Sequence, residues 1–75
     1  MDLTQLKEDV KAKIKEIQAG KATQQKLNDM GIMPGREIVK INSQFFKGPV
    51  IVKAGRCQLA LGFGLAKKIK VEVIK

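Results

Sequence analysis

The groups in this 75-residue chain that could carry chemistry are few, and their types limit what they can do. Proton transfer and nucleophilic attack draw on His, Tyr, Cys, Lys or paired carboxylates. This chain has no His, no Tyr and no Trp, and a single thiol at Cys57. Its carboxylates, Asp2, Glu8, Asp9, Glu16, Asp29, Glu37 and Glu72, are scattered, and among them Glu8-Asp9 is the adjacent pair. That inventory reads as non-enzymatic. A transition-metal centre needs several imidazole, thiolate or carboxylate ligands converging at bond distance, and Cys57 alone does not supply that set; a weak site of Cys57 with Met30 or Met33 is the alternative, against packing roles for the methionines. No metal site and no cofactor is expected. Cys57 is in phase with Leu59 and Leu61, which reads as a small core hydrophobe. The run Gly62-Phe63-Gly64-Leu65-Ala66-Lys67-Lys68 has the outline of a phosphate loop but lacks the Gly-Lys-Ser/Thr ending, and its glycines are expected to relieve crowding at a barrel corner.

What remains is binding chemistry. Fifteen Lys and Arg against seven Asp and Glu give a net charge of +8, which attracts nucleic acid, anionic lipid or an acidic protein surface without choosing among them. Lys11, Lys13 and Lys15 alternate with apolar residues and form a basic face. A small basic barrel that binds nucleic acid is the alternative reading, but such proteins pair the basic groove with aromatic platforms, and this chain has three Phe. Phe45 and Phe46 are adjacent, so in an extended chain they point to opposite sides. They lie among turn residues, Ser43-Gln44 and Lys47-Gly48-Pro49, where large apolar side chains either cap a barrel end or anchor a partner.

The elements that must position these groups follow from punctuation and period. Seventy-five residues is one domain, which buries about 60% of its unfolded surface, so its core must be economical. Leu3 and Leu6 bracket a polar opening turn that covers one end of the core. Val10, Ala12 and Ile14 alternate with the lysines as a half-buried strand, and Ile17, out of phase, predicts a bulge near Lys15-Glu16. After Gly20 a short helix spans about Ala22 to Met30, with Thr23 as a candidate N-cap and Leu27 and Met30 as its apolar contacts. Gly31 then suits a left-handed helix stop, and Pro34-Gly35 the centre of a type II turn. Strands follow at Glu37 to Ser43, with Val39 and Ile41 in phase, at Val50 to Ala54, which is apolar on both sides, and at Cys57 to Leu61 after a Gly55-Arg56 turn. Gly62 to Ala66 reads as a single helical turn, and Ile69, Val71 and Val73 close the chain. The fold class is mainly β: five curved strands with one short helix between the first and second, wrapped as a partly open barrel.

A lone cysteine excludes an intrachain disulfide and favours a reducing compartment. No apolar run approaches the roughly 18 residues of a membrane span, and Met1-Asp2-Leu3 lacks the pattern of a secretory signal. The expected location is the cytoplasm.

Taken together, Leu3-x-x-Leu6, then Leu27-x-x-Met30-Gly31-Ile32-x-Pro34-Gly35, Gly48-Pro49-Val50, Leu59-Ala60-Leu61 and Leu65-Ala66-x-x-Ile69-x-Val71 resemble the FeoA family of bacterial ferrous iron transport across nearly the whole chain. Met30 takes the Leu place of the family's Leu-Gly-Ile-x-Pro-Gly element, and Asp9 stands where the family often has Gly. The resemblance implies an SH3-like barrel over residues 1–75 and a small cytoplasmic accessory protein. Its partner would be FeoB, a permease with a guanine-nucleotide-binding domain, at the inner membrane face. The barrel is also similar to the C-terminal domain of iron-dependent repressors. On this reading Gly31, Ile32, Met33, Pro34 and Gly35, with Phe45 and Phe46, are the candidate partner-binding surface, no nucleic acid is expected, and an unpaired sheet edge leaves self-association open.

Overall fold

Alternation sets the first strand. In the computed structural model, which describes residues 1–42 and 46–74, Ala12, Ile14 and Ile17 are buried while Lys11, Lys13 and Lys15 are exposed along β1 (Lys11–Ile17). The phase change between Ile14 and Ile17 is absorbed by a register shift between Ile14 and Glu16 where β1 meets the last strand, which is the expected bulge. A one-turn 3-10 helix, Leu3–Gln5, precedes β1. After it come α1 (Lys21–Asp29), β2 (Glu37–Lys40), β3 (Val50–Ala54), β4 (Cys57–Leu61), α2 (Phe63–Ala66) and β5 (Ile69–Val73). The strands form one antiparallel sheet in the order β4-β3-β2-β1-β5, which stays open, so the barrel has β4 and β5 as its edges. Residues 1 and 2 cover part of the β5 edge: the Val71 amide donates to the Met1 carbonyl at 2.9 Å, and Asp2 bridges to Lys70.

Helix α1 starts one residue earlier than expected. Gly20 is its N-cap and offers no side-chain bond, and Thr23 lies inside the first turn, so Thr23 is not the cap. Leu27 reaches the core, but Met30, the C-cap, is 36% exposed. The 3-10 turn is better capped. Asp2 accepts from the Thr4 amide while the Gln5 side chain accepts from the Asp2 amide, a capping box that seats Leu3 and Leu6 over the core.

The main departure from the expected pattern is in β2. Ile38 and Lys40 face inward, and Val39 and Ile41 are half-buried on the other side. Cross-strand partners share a face. Ala12 is fully buried and pairs with Ile38, so Ile38 must turn in and Val39 out. Lys40 consequently lies 2% exposed opposite Val52, with its ammonium donating to the carbonyls of Leu6 at 2.8 Å and Thr4 at 3.1 Å. Its own carbonyl accepts from the Asp9 amide at 2.7 Å. Asp9 holds φ 65, a left-handed conformation that Asp tolerates better than most side chains. β2 stops at Lys40 because the Asn42 side chain takes over the ladder: its Oδ1 accepts from the Ile51 amide at 2.7 Å and its Nδ2 donates to the Pro49 carbonyl at 3.1 Å. Ser43, the expected strand end, lies outside the described residues.

Three further expectations are corrected at the sheet edges and corners. Cys57 is exposed rather than a core residue. β4 grades from exposed Cys57 through half-buried Leu59 to buried Leu61, because an edge strand has no neighbour to cover its far end. Val73 is likewise 37% exposed at the end of β5. Gly62 and Gly64 are not relieving crowding, since an added Cβ would meet nothing within 4 Å at either.

Burial holds the Lys40 ammonium below its usual 10.5, against the opposing pull of Asp2 and Glu8. The unfolded chain therefore binds the proton more tightly, and stability rises with pH between the folded-state pKa and 10.5. Lys40→Met keeps the apolar stem but removes the hydrogen bonds to the Leu6 and Thr4 carbonyls, a loss of about 1–2 kcal/mol at neutral pH. The expected fall in Tm is roughly 4–8 °C per kcal/mol. Thermal melts of both proteins should show the gap widening as the pH approaches the lysine range. A gap that narrows would contradict this role for Lys40.

Candidate functional site

Between α1 and β2 the chain makes two turns in quick succession, each locked by a glycine. At the first, the Ile32 amide donates to the Leu27 carbonyl at 2.8 Å and the Gly31 amide to the Asn28 carbonyl at 2.9 Å, with Gly31 at φ 86. These are the paired bonds of a Schellman stop, and the accompanying apolar contact joins Ile32 to Leu27, both 1% exposed. At the second, the Arg36 amide donates to the Met33 carbonyl at 3.1 Å and Gly35 has φ 93, as a type II turn requires. The turn is tied to β1 on both sides of its corner: Gly35 N–H to the Ile14 carbonyl at 2.7 Å, and Ile14 N–H to the Arg36 carbonyl at 2.9 Å. Met33 and Pro34 therefore sit on a ridge with little conformational freedom, Met33 half-buried and Pro34 exposed.

On one side of this ridge lies a groove of about 420 Å³, with the buried Ile17 and Ile32 beneath it, Met33 and Pro34 at the turn, and Lys21, Gln24, Gln25 and Asn28 on the helix side. Two of those amides are already engaged, Gln24 with the Ala19 carbonyl at 2.7 Å and Gln25 with Asp29 at 2.9 Å. On the other side, a second groove of about 540 Å³ runs over the outer face of β1, β2 and β3, lined by Lys11, Gly35, Arg36, Glu37, Ile38, Val39, Lys53 and Gly55.

In chain order, Gly31 through Gly35 lead into β2 at its Glu37 end, whereas Phe46 follows its Lys40 end. Ile32 is turned into the core and serves the ridge from below. Phe46 is 92% exposed, on a left-handed backbone (φ 48) continued by Lys47 (φ 60). Phe45 lies outside the described residues. Lys11, Lys13 and Lys15 form an exposed row, but it is not purely basic. Lys11 approaches Glu37 at 4.0 Å, Lys15 approaches Glu72 at 3.7 Å, and Lys13 is in register with both Glu37 and Glu72. Such exposed pairs contribute little stability, but they neutralise part of the row.

Lys40 was missed because a lysine in a strand of mixed period reads as an outward residue. Asp2 and Gln5 were also missed, although their Asp-x-x-Gln spacing is itself a capping signature. Among the described residues there is no group of three or more Cys, Asp or Glu side chains placed to hold a metal ion. With α2 only four residues long, the glycine run before it is a corner and not a phosphate cradle.

A family model described as FeoA domain matches residues 1–73. A protein of Methanocaldococcus jannaschii assigned as Fe(2+) transport protein A is 41% identical over 66 residues, 88% of this chain and 78% of the relative. Among solved structures, the crystal structure of an iron uptake regulatory protein (FeoA) is similar with a TM-score of 0.89 at 31% identity, covering 99% of this chain and 97% of that one. The solution structure of iron(II) transport protein A from Clostridium thermocellum gives 0.89 at 32% identity, covering 99% of this chain and 46% of that one.

If positive φ is what both glycines supply, Gly31→Ala and Gly35→Ala each cost about 1–2 kcal/mol, although an added Cβ would meet nothing within 4 Å at either site. Gly64→Ala, with no positive φ to satisfy, gains up to about 1 kcal/mol. Urea denaturation of the three variants measures these differences, and equal behaviour of all three would remove the case for a locked ridge.

Proposed function

This chain belongs to the FeoA family, and from that premise we propose that it grips a FeoB-type permease through the ridge at Met33 and Pro34, at the cytoplasmic face of the membrane. Members of the family are small accessory factors of ferrous iron uptake that act with FeoB, and they are adaptor modules rather than enzymes. Ferrous iron is thus the cargo of the partner, and the chemistry left to this chain is surface recognition. Among the described residues, no helix is long and apolar enough to cross a membrane.

The observation that carries the reading is the ridge itself. Two left-handed glycines and the bonds to Ile14 hold Met33 and Pro34 at the lip of a groove, so little ordering entropy is left to lose when a partner docks. Phe46 is a second point of contact at the far end of β2. An exposed phenylalanine on left-handed backbone costs about 1–3 kcal/mol in strain, which is better accounted for by recognition than by packing. The nucleic-acid alternative gains no support from the lysine row, since Glu37 and Glu72 flank it and would repel phosphates.

Co-purification of the detergent-solubilised permease with tagged variants tests both contacts. Met33→Asp should reduce recovery by about tenfold, as loss of an anchor at a docking ridge does. Phe45→Ser combined with Phe46→Ser should reduce it by a smaller factor. Unchanged recovery with the double serine variant would remove the phenylalanines from the surface, and unchanged recovery with Met33→Asp would remove the ridge. Thermal melts confirm in each case that the variant is folded.

A further inference from the structure

The groove on the opposite side of the ridge takes no part in the contacts above, and its chemistry points to a different ligand. Lys11, Val39 and Lys53 are directly in register across β1, β2 and β3, so an apolar residue is flanked on each side by a lysine on the same outer face. Arg36 closes one end. Its guanidinium lies over Gly55, where a Cβ would come within 2.6 Å of Nη2, so the glycine leaves the space that the arginine occupies. Among the described residues neither Arg36 nor Lys53 has a carboxylate within ion-pair distance, and Lys11 has Glu37 at the loose separation of 4.0 Å. The groove thus holds three cations and one anion around a floor formed by Val39 and the backbone at Ile38, Gly35 and Gly55.

We infer that this groove binds a short extended acidic segment of a partner protein, an apolar side chain resting on Val39 between carboxylates that meet Lys11, Lys53 and Arg36. Successive side chains of an extended segment point to opposite sides, so the acidic, apolar and acidic residues that meet this face stand at alternate positions i, i+2 and i+4, about 13 Å from first to last against about 10 Å across three strands, a difference that the long lysine side chains span. Arg36 supplies a planar fork suited to a carboxylate, and the unpaired cations supply the steering field. A nucleic acid strand fits less well, because the lining has no aromatic ring on which bases would stack and Glu37 would face the phosphates. A second copy of this chain is also disfavoured. Each copy carries a net charge of +8, and its adjacent acidic pair, Glu8-Asp9, lies between Lys7 and Lys11.

The test uses the chain alone, so its outcome is independent of the permease contact proposed above. A synthetic peptide with Glu, Val and Glu at alternate positions separated by serines is titrated into isotopically labelled protein at low salt, with amide shifts as the readout. The expected shifts cluster at Lys11, Arg36, Val39, Lys53 and Gly55. Arg36→Glu with Lys53→Glu should weaken binding by about tenfold or more, and the milder Arg36→Gln with Lys53→Gln by a smaller factor in the same direction. Lys21→Glu with Lys26→Glu, on α1, changes the net charge by the same amount as the first pair and should alter affinity by less than about twofold. Glu37→Gln removes the one anion from the groove and should tighten binding by about two- to threefold, a gain that a folding defect cannot imitate. Equal loss from the α1 pair, weaker binding by Glu37→Gln, or shifts spread over every lysine face would overturn the proposal. Tighter binding of a single-stranded oligonucleotide at the same amides would overturn it in favour of nucleic acid.

Discussion

The Lys40 ammonium, buried and held by the carbonyls of Thr4 and Leu6, is the contact on which the rest of this small barrel depends. The sheet does not close between β4 and β5, so apolar surface inside it must be covered by something other than strands. Leu3 and Leu6 provide that cover, and the 3-10 turn that carries them packs against α2 and β5. A turn of three residues has almost no stability of its own. The capping box holds it locally, and Lys40 ties it to the middle of the sheet, with the long apolar stem of the lysine serving as part of the core. The arrangement places a charge where a chain of this size would ordinarily use an aliphatic residue. It is tolerable because the charged tip donates to two backbone carbonyls, those of Thr4 and Leu6.

The ridge and the two grooves beside it are organised around the seven residues Met33 to Val39. The same backbone that ends the type II turn becomes β2, so the ridge, the α1 groove on one side and the basic groove on the other share one rigid support. Its rigidity comes from main-chain bonds to β1 and from two glycines that need no side-chain packing to hold their conformations. Met33 and Val39 therefore belong to two faces of a single element.

Charge is distributed with the same economy. A net charge of +8 suggests a uniformly basic particle, but the outer row of β1 is interleaved with Glu37 and Glu72, whereas among the described residues Arg36 and Lys53 have no carboxylate within ion-pair distance. Arg36 and Lys53 thus line one groove on the outer sheet face, where the glycine turn at Gly55 makes room for the arginine. Composition reports the sum of these charges, and only their placement on neighbouring strands says which are spoken for.

Much of this protein was determined by local sequence alone. The alternation from Ala12 to Lys15, the bulge before Ile17, the left-handed stops at Gly31 and Gly35 and the Gly55-Arg56 hairpin are properties of residues within a few positions of each other, and each was legible as such. The family resemblance rests on the same spacing. What the tertiary structure decided was direction. Glu37-Ile38-Val39-Lys40-Ile41 is apolar in both phases, and only its pairing with Ala12 turned Ile38 and Lys40 inward. Cys57 has the right phase for a core position, but β4 is an edge strand, so that end of it has nothing packed over it. Periodicity records that a strand has two faces, but which face is dry depends on neighbours contributed by distant parts of the chain, and no local pattern contains them.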